Sequence, residues 1–157
     1  MTKPPAAFLA AAKNLLGPKG WSEDPEQLDK VATPWRGVYQ GETPFLARPA
    51  NTEEASALVK LCAAHHVALT PQGGNTGLVD AGTPHGEIVV SMTRMHAIRS
   101  IDQFNNSLVI EAGAPLVTAQ QAAEDAGRLF PLSLGSEGTA TIGGLISTNA
   151  GGVAVLR

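Results

Sequence analysis

The chain has 157 residues, a mass of 16.2 kDa and a net charge of −3 at pH 7. Its 43% hydrophobic content is sufficient for a buried core, so we expect a soluble globular protein. The eleven Lys and Arg residues are scattered, so the charge pattern indicates neither nucleic acid nor an anionic membrane as a partner. No apolar stretch approaches the roughly 20 residues that a membrane-spanning helix requires.

The cysteine content bears on the cellular compartment. Cys62 is the single cysteine of the chain and cannot form an intramolecular disulfide, which favours a reducing compartment. The N-terminal stretch MTKPPAAFLAAAKNLLG is interrupted by prolines and by Lys13, unlike a secretion signal. We therefore expect a cytoplasmic protein.

The first 40 residues read as a helical lead-in. A helix is predicted over Pro4–Leu16, because proline is tolerated near a helix start and a glycine follows its end. The residues after it are rich in Gly, Pro and polar side chains, with one short helix predicted over Asp24–Val31. We accordingly divide the chain into a lead-in, residues 1–40, and a main domain, residues 41–157.

The main domain opens with a strand, a helix and a second strand. Phe45–Arg48 and Val67–Thr70 are the strand candidates. Asn51, with Glu54 three residues later, predicts the start of the helix between them by a capping-box-like pattern. The pattern predicts a βαβ unit with a parallel pair of strands.

Further strands and one helix follow. Residues 86–92, GEIVVSM, are typical of a buried strand, and residues 97–102 and 107–113 of two hairpin strands around a polar turn. A helix is predicted over Pro115–Ala126, where a glycine ends it. From residue 128 onwards the hydrophobic pattern favours neither helix nor strand. The predicted class is α+β.

Glycine is clustered in two stretches that are far apart in sequence. Eleven of the seventeen glycines lie in residues 73–86 and 135–152. The first stretch contains PQGGNTG, residues 71–77, which is either a turn or a phosphate-binding loop, because glycine serves both. It lacks the lysine of a P-loop and follows the second strand of its unit, unlike a Rossmann fingerprint. The two stretches together suggest two sides of one ligand site.

Charge is nearly absent from both stretches. Residues 61–93 contain no Lys or Arg, so a phosphate there would depend on backbone N–H groups and on Asn75 and Thr76. Residues 129–156 carry one charged side chain, Glu137, among many hydroxyl and amide groups. Such a surface suits a large, flat, partly apolar ligand, and a flavin dinucleotide is one.

Four ordered segments carry a family resemblance. RPANTEEASALVKLCAAHHVALTPQGGNTGLV, EIVVSMTRMHAI, VIEAGAPL and FPLSLGSEGTATIGGLISTNAGG resemble the FAD-binding domain of the vanillyl-alcohol oxidase/PCMH superfamily. Within it they are most similar to FAD-linked dehydrogenases of D-2-hydroxy acids. The resemblance begins near Trp35 and implies an α+β fold of the FAD-binding PCMH type. This fold has a small parallel βαβ subdomain, followed here by the start of an antiparallel-sheet subdomain.

The resemblance also implies cofactor contacts for particular residues. The FAD pyrophosphate would lie on the loop that contains Pro71, Gln72, Gly73, Gly74, Asn75, Thr76, Gly77 and Leu78. A strand end would contribute Ser91 and Met92. The ribityl chain and flavin ring would contact Pro131, Gly135, Ser136, Gly138, Thr139, Ile142, Gly143, Gly144 and Asn149. Superfamily members that attach the flavin covalently through this loop have a histidine at the position of Asn75, so we expect non-covalent FAD.

Length is the main departure from the family, whose members are much longer. The resemblance implies that a cap domain with the substrate site and metal ligands lies outside this chain, so no catalytic or metal-binding residue is predicted in it. The parent protein would oxidise a small 2-hydroxy acid, and the present piece would be inactive alone. The alternative is a non-catalytic folded remnant that does not hold FAD. In either case an incomplete sheet would expose edges and favour self-association into homo-oligomers.

Overall fold

The computed structural model describes residues 3–152, which form five α-helices and six β-strands. The helices are α1 (Ala6–Leu16), α2 (Pro25–Ala32), α3 (Thr52–Ala64), α4 (Leu116–Asp125) and α5 (Ile142–Ser147). The strands are β1 (Trp21–Ser22), β2 (Leu46–Ala47), β3 (Leu69–Gln72), β4 (Ile88–Ser91), β5 (Ile98–Asp102) and β6 (Ser107–Ile110). None of these helices is long and apolar enough to cross a membrane. The predicted α+β class is confirmed.

Side-chain caps fix where two of the predicted helices begin. The Asp24 carboxylate accepts a hydrogen bond from the backbone N–H of Gln27 at 3.0 Å, and Pro25 occupies the first turn of α2. At α3, the Asn51 side chain accepts from the Glu54 N–H at 2.8 Å. The Glu54 carboxylate reaches back to the N–H of Ala50, so the helix begins in a reciprocal cap as predicted.

Strand order differs from the prediction in one respect. The main sheet has the order β1-β2-β4-β3, with β1 antiparallel to β2 and the other pairs parallel. The prediction that the two strands flanking α3 pair with each other is therefore wrong, because β4 lies between them. All four residues of β4 are buried, and a strand that is buried on both faces is most stable at the centre of a sheet.

The first core includes the N-terminal helix. Phe8 and Ala12 of α1 are fully buried and pack with Phe45, Leu58 of α3 and Ile88 of β4. Cys62 lies in the same cluster, and its burial raises the pKa of the thiol. The helix α1 therefore shares one core with α3 and the main sheet.

A second, smaller core lies under the β5–β6 hairpin. The strands β5 and β6 pair antiparallel, and the second core consists of Ala114, Leu116, Ala119 and Ile142. Partly buried side chains of β6 and of residues 130–134 and Leu145 pack around it. In the segment that the sequence pattern left unassigned, α5 is helical from Ile142 to Ser147, while residues 153–157 lie outside the described part.

Candidate functional site

A cleft of about 730 Å³ lies where three parallel strands end. Gln72 ends β3, Ser91 ends β4 and Arg48 follows β2, and all three line this cleft. Helix α2 forms one side, and residues 138–141 with the start of α4 form the other. Crevices at the carboxyl ends of parallel strands are the usual ligand sites of such sheets.

The first glycine loop, residues 71–77, is held in place by two amide side chains. The Gln72 side chain is buried and donates to the carbonyls of Val31 at 2.8 Å and Gly82 at 3.0 Å. The Asn75 amide donates to the Thr33 carbonyl at 3.3 Å, and its backbone has a positive φ of 52°. Asparagine tolerates that conformation better than most residues. The N-terminal segment thus positions the loop.

Two glycines of the loop lie against the second glycine segment, residues 131–149. A Cβ atom at Gly74 would overlap the carbonyl oxygen of Thr139 and lie 2.7 Å from its carbonyl carbon. A Cβ atom at Gly73 would overlap the Thr141 hydroxyl. The predicted approach of the two segments is therefore present, but these two glycines are required by contact between chain segments.

Seven of the predicted contact residues line the cleft. They are Gln72, Gly73, Gly74, Asn75, Ser91, Gly138 and Thr139. Those outside its lining are Pro71, Thr76, Gly77, Leu78, Met92, Pro131, Gly135, Ser136, Ile142, Gly143, Gly144 and Asn149. Of these, Pro131, Ile142 and Asn149 line a separate apolar groove beneath the hairpin, and Met92 packs against the first core. Gly143 is pressed against Ala112.

Several residues that line the cleft were not predicted from the sequence, and the most important of them for binding an anion are basic. Lys30 of α2, Arg48 and His96 line the cleft, whereas no Asp or Glu among the described residues does. A phosphate here was expected to depend on uncharged groups. That expectation was based only on the residues close to the loop in sequence. Arg48 is the last residue of a strand predicted to be parallel, so the rule that such strands end at one edge could have placed it here.

A buried hydroxyl also faces this region. Thr141 is 5% exposed and lines the cleft, and its Oγ1 atom has no hydrogen-bond partner in the described residues. The Arg48 Nε atom is buried without a partner as well. Buried polar atoms are rarely left unpaired in native proteins, so these two atoms are candidate partners for a ligand in the cleft.

The second glycine segment is ordered by its one carboxylate. The Glu137 carboxylate accepts from the Ser133 hydroxyl at 2.6 Å and from the Leu134 N–H at 3.1 Å. Hydrogen bonds from Ser133, Gln120 and Leu134 lower the pKa of Glu137 below its usual value. Within residues 3–152, no three His, Cys, Asp or Glu side chains are grouped so that they could hold a metal ion.

Comparison with protein families identifies the domain that contains this cleft. A family model described as "FAD binding domain" matches residues 43–157. The chain belongs to this family of FAD-binding domains. The match covers both glycine segments, and FAD is the cofactor of the family. The predicted resemblance to FAD-dependent oxidoreductases is confirmed at the level of the domain.

Relatives of this FAD-binding domain are named as dehydrogenases of a D-2-hydroxy acid. The D-2-hydroxyglutarate dehydrogenase of Arabidopsis thaliana is 39% identical over 146 residues, 92% of this chain and 26% of that protein. The enzyme of the same name from Bos taurus is 38% identical over 135 residues, 85% of this chain and 25% of the relative. The D-2-hydroxyglutarate–pyruvate transhydrogenase of Saccharomyces cerevisiae is 36% identical, over 87% of this chain and 28% of that protein. The chain thus spans about a quarter of the length of these curated relatives.

Solved structures share the fold of this FAD-binding domain. Alkyldihydroxyacetonephosphate synthase superposes with a TM-score of 0.84 at 20% identity, over 97% of this chain and 31% of that one. p-Cresol methylhydroxylase superposes with a TM-score of 0.69 at 17% identity, over 90% of this chain and 30% of that one. At these identities the likeness concerns the fold alone, and it confirms the predicted PCMH-type architecture.

The prediction of a cytoplasmic protein is wrong. The Arabidopsis and Bos taurus relatives are named as mitochondrial proteins, which contradicts it. The prediction rested on a single cysteine and on an N-terminus unlike a secretion signal. Both properties only argue against secretion into an oxidising compartment. They do not distinguish the cytoplasm from another reducing compartment.

Proposed function

We propose that the chain is the FAD-binding portion of a flavin-dependent oxidoreductase that oxidises a D-2-hydroxy acid. The observation that carries the proposal is the cleft itself. It lies at the carboxyl ends of β2, β4 and β3, is bordered by both glycine segments and contains basic side chains without carboxylates. This combination suits a long ligand with an anionic centre.

The residues present fit a flavin dinucleotide. Arg48 Nε and Thr141 Oγ1 are buried polar atoms without partners, and both residues line the cleft. Gly138 also lines it, and a Cβ atom there would meet nothing within 4 Å, so the backbone is open to close approach. FAD, when bound, accepts a hydride from the substrate. The residues of this chain bind and orient the cofactor.

We further propose that FAD is held without a covalent bond. Asn75 occupies the middle of the first glycine loop, and an amide cannot form the bond that a histidine forms with a flavin. Its side chain is also turned towards Thr33, to whose carbonyl it donates. The substrate site and any catalytic residue are proposed to lie outside this chain, which we therefore expect to be inactive alone.

The experiment is reconstitution of the purified chain with FAD, followed by removal of free cofactor. A retained yellow colour that leaves on denaturation without protease supports the proposal. A colourless chain that gains no flavin absorbance contradicts it and favours a folded remnant that self-associates. One observation favours that second candidate. An apolar groove of about 860 Å³ lies open beneath the hairpin, with Leu129 and Ile146 exposed on it.

A further inference from the structure

The ionisable side chains that line the cleft are all basic. Lys30, Arg48 and His96 are its titratable lining residues within the described part of the chain, although the whole chain carries a net charge of −3. Lys30 is exposed and pairs with Glu26 of the same helix at 2.7 Å. Arg48 has no ion pair among the described residues. It is therefore the permanent positive charge of the cleft that is free to meet an anion.

Arg48 is fixed by its backbone and only weakly engaged by its side chain. Its N–H donates to the Gly20 carbonyl at 2.7 Å, and its carbonyl accepts from the Arg94 guanidinium at 2.8 Å. The side chain makes one contact, from a terminal nitrogen to the Trp21 carbonyl at 3.4 Å, and its Nε is buried without a partner. A guanidinium carries five N–H donors, so most of its capacity is unused.

The position of Arg48 relative to the first glycine loop suggests what it binds. Strands β2 and β3 are the two neighbours of β4, so Arg48 and Gly73 follow strands about 10 Å apart, on either side of Ser91. A group that reaches both must be elongated and carry charge near its middle. Arginine forms paired hydrogen bonds with phosphate oxygens, which suits it to a diphosphate.

We infer that Arg48 binds the diphosphate of the dinucleotide, opposite the first glycine loop. The inference rests on the proposed FAD-binding function and adds a charged contact to a site that the sequence had described as uncharged. The guanidinium neutralises charge that backbone N–H groups only partly compensate. Binding should therefore weaken as salt rises, and Arg48 should account for much of that dependence.

The test compares the affinity of the full chain and its variants for FAD by flavin fluorescence, at low and high ionic strength. Arg48→Met should weaken FAD binding by about tenfold or more and flatten its salt dependence. Arg48→Gln, which keeps polarity without charge, should behave alike and guards against a packing defect in the first variant. Lys60→Met removes an exposed charge on α3, away from the cleft, and should match the wild type.

Thermal unfolding confirms that each variant is folded before it is titrated. Unchanged FAD affinity in folded Arg48→Met and Arg48→Gln would overturn the inference while leaving FAD binding intact. A loss of affinity with an unaltered salt dependence would also overturn it, because that result assigns Arg48 a purely structural role. If the wild-type chain binds no FAD, the proposed function fails and the inference falls with it.

Discussion

The variant Gly138→Ala tests whether a ligand, and not another part of the chain, lies against the backbone of Gly138. A Cβ atom at Gly138 meets no heavy atom within 4 Å, and its φ lies outside the left-handed region, so the folded apoprotein accommodates alanine. Replacing glycine at such a compatible position often stabilises a protein by about 0.4–1 kcal/mol. The new methyl group would nevertheless occupy open space at a residue that lines the cleft.

The magnitude follows from the space that the methyl group takes. A ligand in van der Waals contact with the Gly138 backbone must shift by about the length of one carbon–carbon bond, roughly 1.5 Å, or lose its contacts. Overpacking of this kind costs about 1–3 kcal/mol, which corresponds to roughly a 5- to 150-fold increase in Kd. We therefore expect Gly138→Ala to weaken FAD binding without lowering the unfolding temperature.

Gly74→Ala is the informative contrast. Its Cβ atom would lie 2.7 Å from the Thr139 carbonyl carbon, so this variant should lose stability and FAD binding together. The assays are flavin fluorescence titration and thermal unfolding. Wild-type affinity in Gly138→Ala would refute the placement of the cofactor against this backbone.

Two further predictions concern stability and association. Hydrogen bonds from the backbone of Ala97 and from Arg99 lower the pKa of Glu111 below 4.5, so its contribution to stability is present at neutral pH and lost on acidification. Glu111→Gln should reduce the free energy of unfolding at neutral pH and lessen its fall below pH 4.5 in urea titrations; an unchanged acid dependence would contradict this. Ile146 is 76% exposed on the apolar groove, so we expect the chain to self-associate and Ile146→Ser to reduce that association in light scattering. Leu78→Ser, exposed elsewhere, should have no effect, and a wild-type monomer at high concentration would count against the prediction.

Local signals made four of the five described helices predictable from sequence, all but α5. The Asn51 and Glu54 side chains that mark the start of α3 act within a few residues of each other, so their spacing alone indicates the cap. The strand order was not predictable in the same way. Whether β4 inserts between β2 and β3 depends on contacts between segments about 20 or more residues apart, for which hydrophobic alternation supplies no register.

For the cleft, too, features that depend on neighbouring residues were predictable, and most contacts between distant segments were not. The sequence predicted that both glycine segments form one site, and they do approach each other. The sequence could not tell whether Gly74 makes room for a ligand or for another part of the chain. A side chain at this position would collide with either neighbour, so both cases require glycine. Lys30 and Arg48 escaped notice because both come from segments that precede the loop in sequence.

The most direct test of the central claim is the amount of FAD that the wild-type chain retains and later releases. After incubation with FAD and gel filtration, we predict one FAD per chain, all of it set free when the protein is denatured without protease. Retention of no flavin would contradict the assignment of the cleft as an FAD site. Flavin that stays attached to the denatured chain would contradict non-covalent binding.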